Sequence, residues 1–299
     1  MILGSDASHP ASRRWGASRA ARRWPWLRSR TLKGIGYVTP TAIVVGVFFI
    51  VPLFLVFWMS LNRWPLLGSP EVNFPENFSK IRDNELFKDS VVFTLKYTAI
   101  VTVVLSAFAM ALALLVQAPR RGVGLMRTAF FLPGAVGFAA AALLFYGFYS
   151  ETGPLNDILR STGLVNEPVA WLGTPDRALF STIVMVIWRF AGFNMLILLT
   201  GLAAIPTDVY EAARVDGARS WQTFRHITLP LLRPTIALML VLSITGSLLA
   251  FDQFFILTRG GPDGSTVSMV MVIYREAFTQ FDLGGAAALP RLNCVKASR

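Results

Sequence analysis

The sequence is poor in the residues that usually do chemistry. It has one cysteine, Cys294, so it can form no intrachain disulfide and no CxxC or Cys/His metal site. With only two histidines, His9 and His226, and no HExxH, a zinc site is improbable, and no metal is expected. There is no G-x-x-x-x-G-K-[ST], so the chain cannot hydrolyse a nucleotide by a P-loop. Gly34-x-Gly36 and Gly122-x-Gly124 are not completed to G-x-G-x-x-G, and no cofactor is implied. No G-x-S-x-G occurs. Charge is scarce as well. Charged residues make up 15% of the 299, where a soluble domain would carry about a quarter.

What is abundant is apolar: 54% of the chain, collected into long uncharged runs. A hydrocarbon core needs about 20 such residues in a helix. The runs predict an all-α polytopic membrane protein, with a transmembrane domain at 34–289 and five spans at about 36–60, 97–118, 128–150, 178–201 and 231–257. The first begins in an uncharged stretch of 29 residues, Gly34 to Asn62, too long for the hydrophobic region of a cleavable signal peptide. Residues 63–89 and 151–177 are acid-balanced and rich in proline or glycine, and read as loops on one side.

The net charge of +11 is unevenly spread. Residues 1–33 hold eight Lys/Arg interleaved with Trp15, Trp24 and Trp26. Such a segment could grip nucleic acid. Next to an apolar run it is better read as a cytoplasmic tail held at anionic lipid headgroups, so no nucleic-acid partner is expected. The hinge at 120–127 adds three bases and the 208–233 loop four, against four acids in all three segments. The 63–96 and 151–177 loops hold seven bases and nine acids. The positive-inside rule puts the N-terminus and the 208–233 loop in the cytoplasm.

The stretch from 206 to 230 is built as helix, turn, helix. Thr207 and Asp208 after Pro206 supply N-cap and first-turn chemistry. Asp216-Gly217 is a turn dipeptide in which glycine provides the positive φ. Ser220 can cap a second short helix that places Trp221, Phe224 and Ile227 on one face, with Pro230 as its stop. A membrane chain without catalytic residues that displays a preformed apolar knob in the cytoplasm must take its energy from a partner.

Glu211-Ala212-Ala213, then Asp216-Gly217-Ala218, then Ile227, Leu229 and Pro230 resemble the EAA loop of the permease subunits of binding-protein-dependent ABC importers. Leu257-Thr258-Arg259-Gly260-Gly261-Pro262, with Ser265-Thr266, Tyr274 and Phe278, is similar to the carbohydrate-uptake branch of that family. The resemblance covers roughly residues 36–289. It implies the fold of a bacterial inner-membrane permease. The implied partners are two ATP-binding cassette subunits, a second permease subunit forming a heterodimer with this one, an extracytoplasmic solute-binding protein and a sugar substrate. It also implies that the second short helix sits in a cleft of the ATPase, with Trp221, Phe224 and Ile227 as anchors and Glu211 as a charged contact. The apolar face could instead pack on the chain's own helix ends.

Within the spans, Arg189 is conspicuous, because a charge at mid-bilayer is costly and should face protein or water. It could line the solute pathway with Asn194, or pair structurally with Asp252 or freed carbonyls. Asp252 and Gln253 carry the same alternatives. Residues 267–281 put Val267, Val270, Met271, Tyr274, Phe278 and Phe281 largely on one face, as an interfacial helix would. The apolar run from Leu283 to Pro290 is too short to cross, and the family's sixth span is expected there. The 290–299 tail is therefore expected to reflect truncation or a shifted reading frame. A stand-alone secondary transporter or channel is the alternative function, and would have no docking loop. A membrane-embedded enzyme lacks any acid/base or metal constellation.

Overall fold

A computed structural model of the chain describes residues 25–65, 68–118 and 120–289. The 290–299 tail and most of the basic N-terminal segment lie outside them. Two compact units are present, one reaching to Val56 and the other beginning at Phe57.

Helix α1 (Pro25–Val45) passes through a π-turn, Gly46–Ile50, into α2 (Val51–Ser60). The turn has a local cause. Pro52 has no N–H and its ring would press on the carbonyl four residues earlier. The wider turn, in which the Val51 N–H reaches the Gly46 carbonyl, gives that ring room.

In the second unit a two-stranded antiparallel ribbon, β1 (Asn62–Arg63) and β2 (Glu71–Val72), precedes the amphipathic α3 (Glu76–Asp83). Helix α4 (Glu85–Val116) then runs for 32 residues, its N-terminus capped by the Asn84 side chain, which accepts from the Phe87 N–H at 3.2 Å. It starts twelve residues before the apolar run at 97. The charged residues at its start mark where the helix leaves the apolar layer, not where it begins. Helix α8 (Pro175–Ala203) packs along α4 and fills the core with Met185, Met195 and Leu198, against Val101, Leu105 and Val116. The loop between them carries α7 (Pro154–Ser161), pinned by buried Asn156, which donates to the Ser150 and Val169 carbonyls and accepts from the Val169 N–H.

Two of the expected spans are not straight. The third is split into α5 (Val123–Ala135) and α6 (Phe138–Phe148), bent by 96° at Val136-Gly137. The fifth ends as a helix at Leu248, in α12 (Arg233–Leu248), and resumes after four residues as a π-helical segment, Gln253–Thr258. Among the described residues three helices are long and apolar enough to cross a membrane, or five if two bent pairs, α5 with α6 and Ser220–Leu231 with α12, each count as one span.

A frayed polar group is not left at the second break. Ser268 Oγ donates to the Ala250 carbonyl at 2.7 Å, and the same oxygen caps α13 (Met269–Phe278). The face expected to lie at an interface is divided: Val267 and Met271 are in the core, while Phe278 and Phe281 are exposed. The last helix, α14 (Leu283–Ala288), is almost entirely buried, with Gly284 so close to β1 that a Cβ there would overlap the Asn62 carbonyl.

Candidate functional site

Two places in the second unit have the character of sites. The first is the helix-turn-helix. Helix α9 (Thr207–Val215) has Pro206 at its N-cap, so Thr207 is the first helical residue and not the cap. Its C-terminus closes as a Schellman motif: the Gly217 N–H donates to the Arg214 carbonyl at 3.1 Å and the Ala218 N–H to the Ala213 carbonyl at 2.9 Å. Gly217 holds φ +74°, and a Cβ there would meet nothing within 4 Å. Glycine is needed for its backbone conformation alone.

The second arm is α10 (Ser220–Thr223), a π-turn at Phe224–Thr228, and α11 (Leu229–Leu231). Ser220 is its first residue and Arg219 its N-cap. The Arg219 N–H donates to Gln222 Oε1 at 2.8 Å; arginine carries only donors, so the reciprocal half of a capping box cannot form. Pro230 does not stop the arm. The Leu229 N–H reaches back to the Phe224 carbonyl, so the helix widens ahead of the proline and continues to Leu231. The arm then turns by 68° into α12.

The Tyr210 hydroxyl and Thr228 Oγ1, 3.3 Å apart, tie the two arms together. Ala213 is buried behind them, whereas Glu211, Ala212 and Asp216 are exposed. Trp221 is 66% exposed with its ring 5.6 Å from that of Phe224, while Phe224 and Ile227 are half-buried. Leu229 is 38% exposed, Pro230 and Ala218 half-buried. The face is therefore open at Trp221 and half-covered at Phe224 and Ile227. A cleft of about 310 Å³ lies between the arms, lined in part by Gly217, Gln222, His226 and Ile227.

The second place is a cavity of about 300 Å³ where the break after α12 faces α4 and α8. Asn194, Ser243, Ser247, Asp252 and Gln253 supply its polar wall. Tyr97, Phe138, Phe190, Phe193 and Phe251 supply aromatic surface. Ser243 Oγ donates to Asn194 Oδ1 at 3.3 Å, and Gln253 Nε2 donates to the Tyr97 hydroxyl at 3.2 Å. Tyr97 also packs edge-on to Phe254 at 4.9 Å, so the residues beyond the break are seated on α4. Three of the four intramembrane residues singled out in the sequence line this cavity. Arg189 does not. Its guanidinium lies over the rings of Phe138 (5.0 Å) and Phe190 (4.8 Å), and Nη1 donates to the Gly134 carbonyl at 3.2 Å. The cavity residues Tyr97, Ser243 and Ser247 were not singled out in the sequence. The signal for the serines was polar residues recurring at i, i+4 in an apolar helix.

Apolar helices broken where polar side chains collect, beside an exposed helix-turn-helix, are the setting in which comparisons with known proteins place a membrane transport subunit. Residues 121–290 match the family described as binding-protein-dependent transport system inner membrane component, and the chain belongs to it. The trehalose/maltose transport system permease protein MalF of Thermococcus litoralis is 34% identical over 255 residues, 84% of each chain. The fold is similar to that of a bacterial ABC transporter involved in the import of the acidic polysaccharide alginate, with a TM-score of 0.79 and 26% identity over 91% of this chain and 94% of that one. The alginate transporter in complex with its alginate pentasaccharide-bound periplasmic protein gives 0.77 and 25%, over 92% and 93%. This chain is thus a multi-pass membrane permease of a binding-protein-dependent transport system, a transport subunit.

Proposed function

We propose that this chain forms part of the pathway for a saccharide and couples its passage to ATP hydrolysis by separate subunits through the 206–230 loop. The observation that carries the reading is the exposed Trp221–Phe224 pair, held out on an arm whose angle is set by the Schellman turn at Gly217. Trp221, 66% exposed beside a half-buried Phe224, offers an apolar surface of the kind a partner's groove covers. Glu211 and Asp216, exposed beside it, give the groove a charged edge to read.

The saccharide follows from relatives that import trehalose and maltose or alginate, and from a cavity that pairs amide and hydroxyl groups with aromatic faces. The bound periplasmic protein of the alginate transporter supports a solute-binding protein as partner on the outer face. Two ATPase subunits and a second permease subunit complete the assembly, and the distribution of basic residues supports a cytoplasmic N-terminus and docking arm.

The test is reconstitution. The chain, co-expressed with a candidate ATPase and second permease from the same source and purified through a tag on this chain, should bring down both and hydrolyse ATP faster when a solute-binding protein and its saccharide are added. A purified chain that moves solute across vesicles down an ion gradient, without ATP or partners, overturns the reading in favour of a secondary transporter.

A further inference from the structure

The polar wall of the cavity has an uneven charge. Among the described lining residues Asp252 is the single charged one, and none is Lys, Arg or His. The basic residue midway along α8 is near but turned away. Arg189 contacts Phe138 and Phe190, whose rings line the cavity, and spends its Nη1 on the Gly134 carbonyl without reaching the cavity itself. Asp252 is exposed, and no ion pair involving it is found among the described residues. Its carboxylate therefore acts on whatever enters. A cavity whose lining carries charge of one sign focuses that field, so a carboxylate on its wall favours opposite charge and repels its own kind.

We propose that this cavity selects its solute by charge, admitting neutral and cationic molecules and excluding anions, with Asp252 as the selecting residue. For a saccharide cargo, which rests on the reading above, this means neutral sugars and amino sugars and not uronates, sugar phosphates or sulfonates.

The lone cysteine makes a direct test available. Cys294→Ser gives a cysteine-free full-length chain, and Gly246→Cys adds one thiol in the cavity wall, where a new Cβ meets nothing within 4 Å. In permeabilised membranes, the thiol is reacted with a cationic methanethiosulfonate (trimethylammonioethyl) and an anionic one (sulfonatoethyl). The ratio of the two rates is divided by the same ratio for free mercaptoethanol. We expect a corrected preference for the cation of at least about tenfold, about 1.4 kcal/mol, falling to within about threefold in Asp252→Asn. A corrected preference below about threefold, or no reaction with either reagent, overturns the proposal. A preference that survives Asp252→Asn removes Asp252 from it. The labelling needs neither ATPase nor binding protein, so its failure and the failure of the importer reading are separate results.

Discussion

Arg189 donates to the carbonyl of Gly134, a residue 55 positions earlier, at the end of the helix that the chain breaks by 96°. In an apolar layer a carbonyl released by such a break has no water to turn to, and an unmet one costs several kcal/mol. The second break has the same solution, Ser268 serving the Ala250 carbonyl. The geometry thus gives Arg189 a structural task. Arg189→Met should lower stability by about 1.5–3 kcal/mol, the usual worth of a hydrogen bond to a charged group. It should lower the melting temperature of the detergent-solubilised protein and leave the apparent affinity for transported solute unchanged. A loss of solute affinity at an unchanged melting temperature would instead place Arg189 in the pathway.

The same helix crossing depends on a missing side chain. A Cβ on Gly192 would overlap the carbonyl of Phe130, so α5 and α8 touch backbone to backbone one turn from Arg189. Gly192→Ala must push the helices apart, and overpacking of this kind costs about 1–3 kcal/mol. Gly246→Ala, where the added group meets nothing, is the control and should be neutral or slightly stabilising, since alanine is the better helix former. Equal melting temperatures for the two variants would mean that the crossing is looser than the structure shows.

Some of this was legible in the sequence and some was not, for definite reasons. Uncharged runs report where the chain suits apolar surroundings, and three of the five expected spans coincide with helices long and apolar enough to cross a membrane. They carry no information on direction, so the bend at Val136-Gly137 inside the run 128–150 was invisible, although Pro133, Gly134 and Gly137 were there to be read. For the same reason Arg189 could be recognised as anomalous but not assigned a partner: its acceptor exists only because of that bend. The Asp216-Gly217 turn was readable because a local backbone conformation dictates the residue. Pro230 misled, because a proline that ends an α-helix can be carried by a widened turn, and the π-turn at Phe224–Thr228 has no composition of its own.

Gly217 separates backbone strain from packing. Because its side-chain position is empty, a substitution there is felt only through φ +74°. Valine, β-branched, should be strained by about 1–3 kcal/mol and change the angle between the two arms. Asparagine, which tolerates the left-handed region, should be accepted. In the reconstituted assembly Gly217→Val should keep normal membrane insertion and lose most solute-stimulated uptake, with Gly217→Asn close to the parent. Uptake by the valine variant at the parent rate would show that the turn does not set the coupling geometry.

The open end of the docking face yields the sharpest separation. Trp221 and Phe224 form one aromatic surface, exposed at Trp221 and half-buried at Phe224, and Ile227 is half-buried on the wall of the cleft between the arms. If the face enters a groove of the ATPase, truncating a central aromatic anchor should cost about 2 kcal/mol or more, roughly thirtyfold in affinity. Trp221→Ala should therefore weaken capture of the ATPase at least thirtyfold, yet leave the melting temperature of the isolated chain unaltered, because its ring contributes little to this chain's own core. Ile227→Ala should do the reverse, lowering the melting temperature more than the affinity. Arg219→Ala, whose backbone and not its side chain caps the arm, should change neither by much. Titrating detergent-solubilised variants with purified ATPase gives all three affinities. Parent-like binding by Trp221→Ala would show that the exposed aromatic surface faces something other than the ATPase.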